Sequence, residues 1–168
     1  NIEKEECDDP SAKGFDYMWG FTYNTEYCNE DLYADKYGYF PYNNYDLERY
    51  ILDKEDDVAH TFMGGDWEMP TAEDVQELFD NTIIDLYDEE TETLILKSII
   101  NGQTIQFTGF GYTLEGETYE KSSICFWTKE HSRSEEGMAY YAIINDNGWN
   151  VANMKRYYGM HCRGVVKK

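Results

Sequence analysis

Proline is nearly absent from this chain, at 3 of 168 residues, and basic residues are scarce: 14 Lys and Arg stand against 34 Asp and Glu. So little proline excludes a polyproline or proline-rich low-complexity architecture. The formal net charge of -20 works against phosphate backbones and anionic lipid surfaces, because like charges repel. Nucleic acid is therefore not expected as a partner. No apolar run approaches the roughly 20 residues of a membrane helix, so no insertion is expected beyond a lipid anchor upstream. The four cysteines, Cys7, Cys28, Cys125 and Cys162, contain no CxxC pair, which excludes a zinc ribbon or a thioredoxin-type motif. An even, widely spaced set fits an exported protein better than a cytosolic one. His60, His131 and His161 form neither HxH nor HExxH, and Gly-x-Ser-x-Gly does not occur. Zinc and nucleophile-elbow hydrolysis thus lack their residues, and the expectation is no catalytic residue, no metal set and no cofactor.

What is present is aromatic. Aromatic residues make up 17% of the chain and 16 are Tyr; a rigid ring with a polar tip suits wet binding faces and polar-rimmed cores alike. The length is that of one domain. Residues 1–13 read as an acidic tether and 14–168 as a single domain. The opening Asn1-Ile2-Glu3, without Met or an apolar targeting stretch, reads as a mature chain whose export signal has gone.

Residues 14–50 show no helical period and predict irregular, aromatic-rich structure with short strands near Phe15–Thr22 and Tyr37–Tyr39. The acids Asp53 to Asp57 then precede Val58, Ala59, Phe62 and Met63, a helical face with carboxylates in its first turn and Gly64-Gly65 as its stop. Thr71 with Asp74 three residues on predicts a capping box, and Val75, Leu78 and Phe79 share the face of the second helix. The remainder alternates as strands: 93–100 and 103–108 around the hairpin signal Asn101-Gly102, then 124–128, 139–145 and 160–166. Asp146-Asn147-Gly148 marks a turn with no comparable strand after it. Two early helices and late strands make an α+β domain.

These segments carry a resemblance. Asp56-Asp57-Val58-Ala59, Gly64-Gly65-Asp66-Trp67-Glu68-Met69-Pro70-Thr71 and Glu77-Leu78 are similar to the "DDAA…GGxWRMPTxxEfxEL" block of the Fibrobacter succinogenes major paralogous domain family of Bacteroidota surface proteins. In the same order, Phe107 to Tyr112 resembles that family's "LPAAGyR", Phe126-Trp127-Thr128 its "YWSS", Ala139 to Ile143 its "AYyLyF" and Tyr158 to Val165 its "YGFSVRPV". Tyr17-Met18-Trp19-Gly20 resembles the "YaWGE" opening. The resemblance implies a C-type-lectin-like fold with two short helices, a small mostly antiparallel twisted sheet and long irregular loops. It also implies an exported or outer-membrane surface protein, often lipid-anchored, distantly related to formylglycine-generating enzymes.

Departures from that pattern limit what it implies. Glu68 stands where the family has Arg. The Glu-Pro-Asn, Gln-Pro-Asp and Trp-Asn-Asp triplets of calcium-dependent sugar binding are missing, since Gly148-Trp149-Asn150-Val151 lacks the Asp. Calcium is therefore unsupported by the lectin motifs, and the acids Asp53, Glu55, Asp56 and Asp57 point in different directions instead of converging on an ion. The Arg-Gly-Gly-Ser block of formylglycine-generating enzymes is absent too. Family members carry aromatic or aliphatic residues where Cys125 and Cys162 stand, and a double departure is what a bridge needs. Cys125–Cys162 with Cys7–Cys28 is the favoured pairing of three connectivities. The stretch 145–158 holds the candidate ligand contacts Asn145, Asn147, Trp149, Asn150, Asn153, Arg156 and Tyr157, the adaptable polar and rigid aromatic types of recognition surfaces. Trp149 and Tyr158 are read either as stacking platforms or as core residues. The expected function is a non-enzymatic adhesion module for a glycan or protein. The alternatives are a structural cell-envelope or pilus-associated subunit and the variable receptor of a diversity-generating retroelement.

Overall fold

The computed structural model describes residues 15–25 and 27–166; the tether expected at 1–13 and Cys7 lie outside them. In chain order the elements are β1 (Tyr17–Met18), α1 (Glu30–Tyr37), α2 (Val58–Met63), β2 (Trp67–Glu68), α3 (Ala72–Asp80), β3 (Thr82–Asp88), β4 (Thr93–Ser98) and β5 (Thr104–Thr108). They continue with β6 (Tyr112–Leu114), β7 (Glu117–Tyr119), β8 (Ile124–His131), β9 (Met138–Asn145), β10 (Gly148–Lys155), β11 (Gly159–Met160) and β12 (Val165–Val166). The fold is α+β, with three helices and several small antiparallel sheets among the described residues: β10-β9-β8, β3-β4-β5, β1-β11-β6-β7 and β12-β2.

The sheet β10-β9-β8 divides the core, because strand residues alternate between faces. Cys125 and Trp127 of β8 and Ala139 and Tyr141 of β9 point to one side, against Tyr17, Trp19, Val58, Ala59 and Met69. Ile124, Phe126, Ala142 and Ile144 point to the other, against Val75 and Phe79 of α3 and Leu94, Leu96 and Phe107 of the β3–β5 sheet. Both faces being covered explains the unbroken apolar start of β8, Ile124 to Trp127, and its nearly continuous burial. The two central indoles satisfy their donors across the first face: Trp19 Nε1 donates to the Thr128 carbonyl and Trp127 Nε1 to that of Tyr17, each at 2.8 Å. A third cluster joins Met18, Phe21, Tyr33, Tyr37 and Tyr42.

The capping box of α3 is present in full: Thr71 Oγ1 accepts from Asp74 N–H and Asp74 Oδ2 accepts from Thr71 N–H. Gly64 ends α2 at φ 67° as expected, a left-handed conformation that suits glycine. The start of α2 differs. Asp57 is its N-cap and no acid occupies its first turn; Asp53 to Asp56 lie in the turn before it. Asp57 is drawn inward because its carboxylate accepts from both His60 N–H and Met69 N–H.

Other expectations need correcting. Among the described residues there are three helices, not two: α1 occupies a region read as irregular, and Tyr37 closes that helix instead of opening a strand. The expected strand 15–22 shrinks to Tyr17–Met18, and 160–166 splits between β11 and β12. The β4–β5 hairpin forms, but Ser98 N–H bonds the Gln103 carbonyl, so its loop is the four residues 99–102. A full strand does follow Asp146-Asn147-Gly148: β10 pairs with β9 over eight residues, from Gly148↔Asn145 to Lys155↔Met138.

Candidate binding surface

The expected ligand loop is therefore a hairpin strand and the turn after it, which fixes where each candidate residue sits. Asn147 and Asn150 are exposed. Asn145 is half-buried; its Oδ1 accepts from Asn147 N–H and its Nδ2 donates to Ser123 Oγ. Asn153 donates to Ser132 Oγ at 3.3 Å and to Glu135 Oε1 at 3.4 Å, tying β10 to the 132–137 turn. Trp149 is half-buried and stacks on Phe79 of α3, centroids 4.9 Å apart, so one ring face is already occupied. Arg156 is out of a surface ligand's reach, at 1% exposure. Its guanidinium lies 4.4 Å from the Tyr42 ring, 5.5 Å from Trp19 and 5.6 Å from Tyr33, and donates to Asn44 Oδ1. A cation hidden from water is held here by aromatic faces, and it is a core residue instead of a contact.

Tyr157 begins something the sequence did not reveal. Its ring stacks on Tyr158 at 5.4 Å, Tyr158 meets Tyr112 edge-on at 5.5 Å, and Tyr112 stacks on Tyr119 at 5.8 Å. The order follows from local pairing. Tyr112 and Tyr119 are directly opposed across β6 and β7, and Gly159, next to Tyr158, pairs with Thr113 of β6. Gly159 has to be glycine, since a Cβ there would sit 2.6 Å from Cys28 Sγ. Tyr119 is 45% exposed and the other three rings are half-buried. Lys155 Nζ lies 5.7 Å from the Tyr157 ring at one end. Tyr27, also exposed, packs on Gly116 in the β6–β7 turn. Burial pushes the Tyr112 and Tyr158 hydroxyls up, helped by Glu120 for the first and by Tyr157 for the second. They stay neutral donors and acceptors. Adjacent tyrosines 157 and 158 were visible in the sequence; Tyr119 carried no signal because only the register brings it to Tyr112.

The chemistry elsewhere is muted. Cys28, Cys125 and Cys162 are free, buried thiols, so the expected Cys125–Cys162 bridge is not formed and Cys28 is unpaired. Burial pushes all three thiols up, which keeps them protonated and poor nucleophiles. Cys125 lies on β8 itself, paired with Ile143 of β9, while Cys162 follows His161, which bridges to the next β8 residue, Phe126. Asp16 and His161 approach to 3.3 Å beside the β1–β11 pair, and burial raises the Asp16 carboxyl to about 6. Among the described residues no three His, Cys, Asp or Glu side chains group to hold a metal ion, and no helix is long and apolar enough to cross a membrane. A shallow depression of about 170 Å³ lined by Lys54, His60, Asp66, Trp67 and Glu68 is well below the ~300 Å³ at which ligand pockets begin.

Comparisons with family models, curated proteins and solved structures found no match to this chain.

Proposed function

We propose that this chain is an exported, non-enzymatic binding module that grips a glycan or protein through the Tyr157–Tyr158–Tyr112–Tyr119 surface and the Asn-bearing end of β10. The single observation behind this reading is the contiguous run of four tyrosine rings, partly open to solvent. Aromatic planes pack on sugar-ring C–H faces or on partner side chains, and neutral hydroxyls beside them supply orientation. The α+β architecture with long aromatic segments is compatible with a C-type-lectin-like scaffold. The ordered motifs from Trp19 to Val165 support membership of the Fibrobacter succinogenes major paralogous domain family and, with it, display on a Bacteroidota cell surface by a lipid anchor. The missing lectin triplets favour binding without calcium.

A glycan array and a cell-surface protein array probed with the wild type, Tyr119→Ala and Tyr157→Ala test this. A ring contact worth about 1.4 kcal/mol makes each variant roughly tenfold weaker toward any hit, with both variants still folded by circular dichroism and no effect of chelator. Hits that bind both variants as tightly as the wild type overturn the assignment of the surface. Silence on both arrays overturns the adhesive function.

A further inference from the structure

Away from the tyrosine surface, the β3-β4-β5 sheet has two unlike edges. On the β5 side, Arg163 Nη2 donates to the Gln106 carbonyl at 2.7 Å and its guanidinium covers the Phe107 ring, so that edge is blunted. On the β3 side, among the described residues no backbone group of Thr82–Asp88 bonds beyond β4. In an antiparallel edge strand alternate N–H and C=O groups point outward. The same edge is aliphatic. Ile83, Ile84 and Leu86 are exposed along β3, and with Ile99 and Ile100 of the β4–β5 turn and Ile105 at the far edge this sheet carries six of the eight exposed Ile, Leu and Val side chains described. Ile100 reaches 75% exposure. Such a concentration of exposed apolar side chains on one small sheet points to an interaction site.

The charges around it decide the occupant. Glu77, Asp80, Asp85, Glu89 and Glu90 are exposed nearby, and Lys97 is the one exposed base of the three strands. Asp85 sits at the bulge between Ile84 and Leu86, at the midpoint of β3. A second copy pairing antiparallel over the full length of this edge would set Asp85 against Asp85, and like charges directly opposed destabilise a sheet. Both copies would also carry a formal charge of -20.

We propose that the β3 edge is a strand-addition site for an extended segment of another protein, alternating aliphatic residues with Lys or Arg, whose cation meets Asp85. Main-chain hydrogen bonds supply the affinity and the acid-flanked aliphatic side chains of the edge the selectivity. The site is independent of the tyrosine surface, so either can fail alone.

The test uses a fluorescein-labelled, acetylated Thr-Val-Lys-Val-Lys-Val-Thr peptide, its Glu-for-Lys counterpart and an N-methylated version, titrated by anisotropy into the full chain and Asp85→Lys. The expected result is saturable binding of the Lys peptide to the wild type and at least tenfold weaker binding to Asp85→Lys. The Glu peptide should recover affinity for that variant, the N-methylated peptide should not bind, and amide-exchange protection should appear in 82–88. Asp85 is exposed, so the variant should fold, and circular dichroism checks this. No binding of the Lys peptide, equal binding to both proteins, or protection confined elsewhere overturns the proposal. A concentration-dependent dimer in sedimentation that protects 82–88 overturns it in favour of a second copy.

Discussion

Arg156 and His131 are neighbours in the interior, both packed against Trp19, and their proximity has a consequence for pH. Burial, with the Arg156 charge adding to it, pulls the His131 imidazole down to about 4. Burial pushes the Asp16 carboxyl the other way, to about 6. These shifts act on stability with opposite signs. Asp16 holds its proton more tightly in the fold, so its contribution is complete below its ordinary value near 4 and is lost as pH rises through 6. His131 is neutral in the fold, so its contribution is complete above 6.5 and is lost as pH falls through 4. Between pH 4 and 6 the two slopes oppose each other. Asp16→Asn should therefore gain stability over the wild type between pH 4 and 7, by at most about 3 kcal/mol for a two-unit shift. His131→Gln should lose less stability than the wild type on acidification from 6.5 to 4. Urea denaturation of all three proteins at four pH values measures both, and parallel curves would refute the burial argument.

The α3 helix is held by its cap more than by its length, since it has only nine residues, Ala72–Asp80, and short helices are marginal alone. Thr71 and Asp74 satisfy each other's donors, and Glu130 accepts from Ala72 N–H at 2.5 Å. Thr71→Ala should cost about 1 kcal/mol, and Thr71→Ser should restore most of it; an Ala variant melting with the wild type would mean Glu130 alone suffices. This cap was legible in the sequence because a capping box is a local signal, as was the Gly64 stop. Strands β4, β5, β8 and β9 were legible as alternating or continuous apolar runs. Helix α1 was not: its buried side are Tyr33, Ala34 and Tyr37, and tyrosine declares no face by polarity. β10 was hidden because Asn150 and Asn153 are poor strand formers, overridden by pairing with β9. β3 was hidden because four of its seven residues are exposed, leaving no alternation to read. The tyrosine surface was half legible, since Tyr157 and Tyr158 adjoin in sequence while Tyr112 and Tyr119 meet them only through sheet register. Arg156 looked like a surface base because Lys155 precedes it; Lys155 ends β10 exposed, and the turn that begins at Arg156 carries its side chain inward onto Tyr42.

At the scale of the whole molecule, charge is the dominant unbalanced quantity. Against a formal net charge of -20, the described Lys and Arg ion pairs are Lys36–Asp56, Arg49–Asp53, Lys129–Glu68 and Arg133–Glu130. Of these only Arg49–Asp53 is exposed on both sides, where a pair contributes little; the four pairs engage few of the 34 acids, so self-repulsion of the rest opposes compactness. Salt relieves it: the screening length falls from about 30 Å at 0.01 M to about 8 Å at 0.15 M. The melting temperature should therefore rise with NaCl over that range, by several degrees if the relief is roughly 1–2 kcal/mol for a domain of this size. Equal osmolarity of sucrose separates screening from solvent exclusion. The cationic strand peptide should respond in the opposite sense, losing affinity over the same range because its attraction to the Asp85 edge is screened by the same ions. A melting temperature that falls with NaCl would mean that the ion pairs outweigh the repulsion. In that case the acidity would be a local property of loops such as 88–92, with no field of the whole molecule to draw a basic partner in.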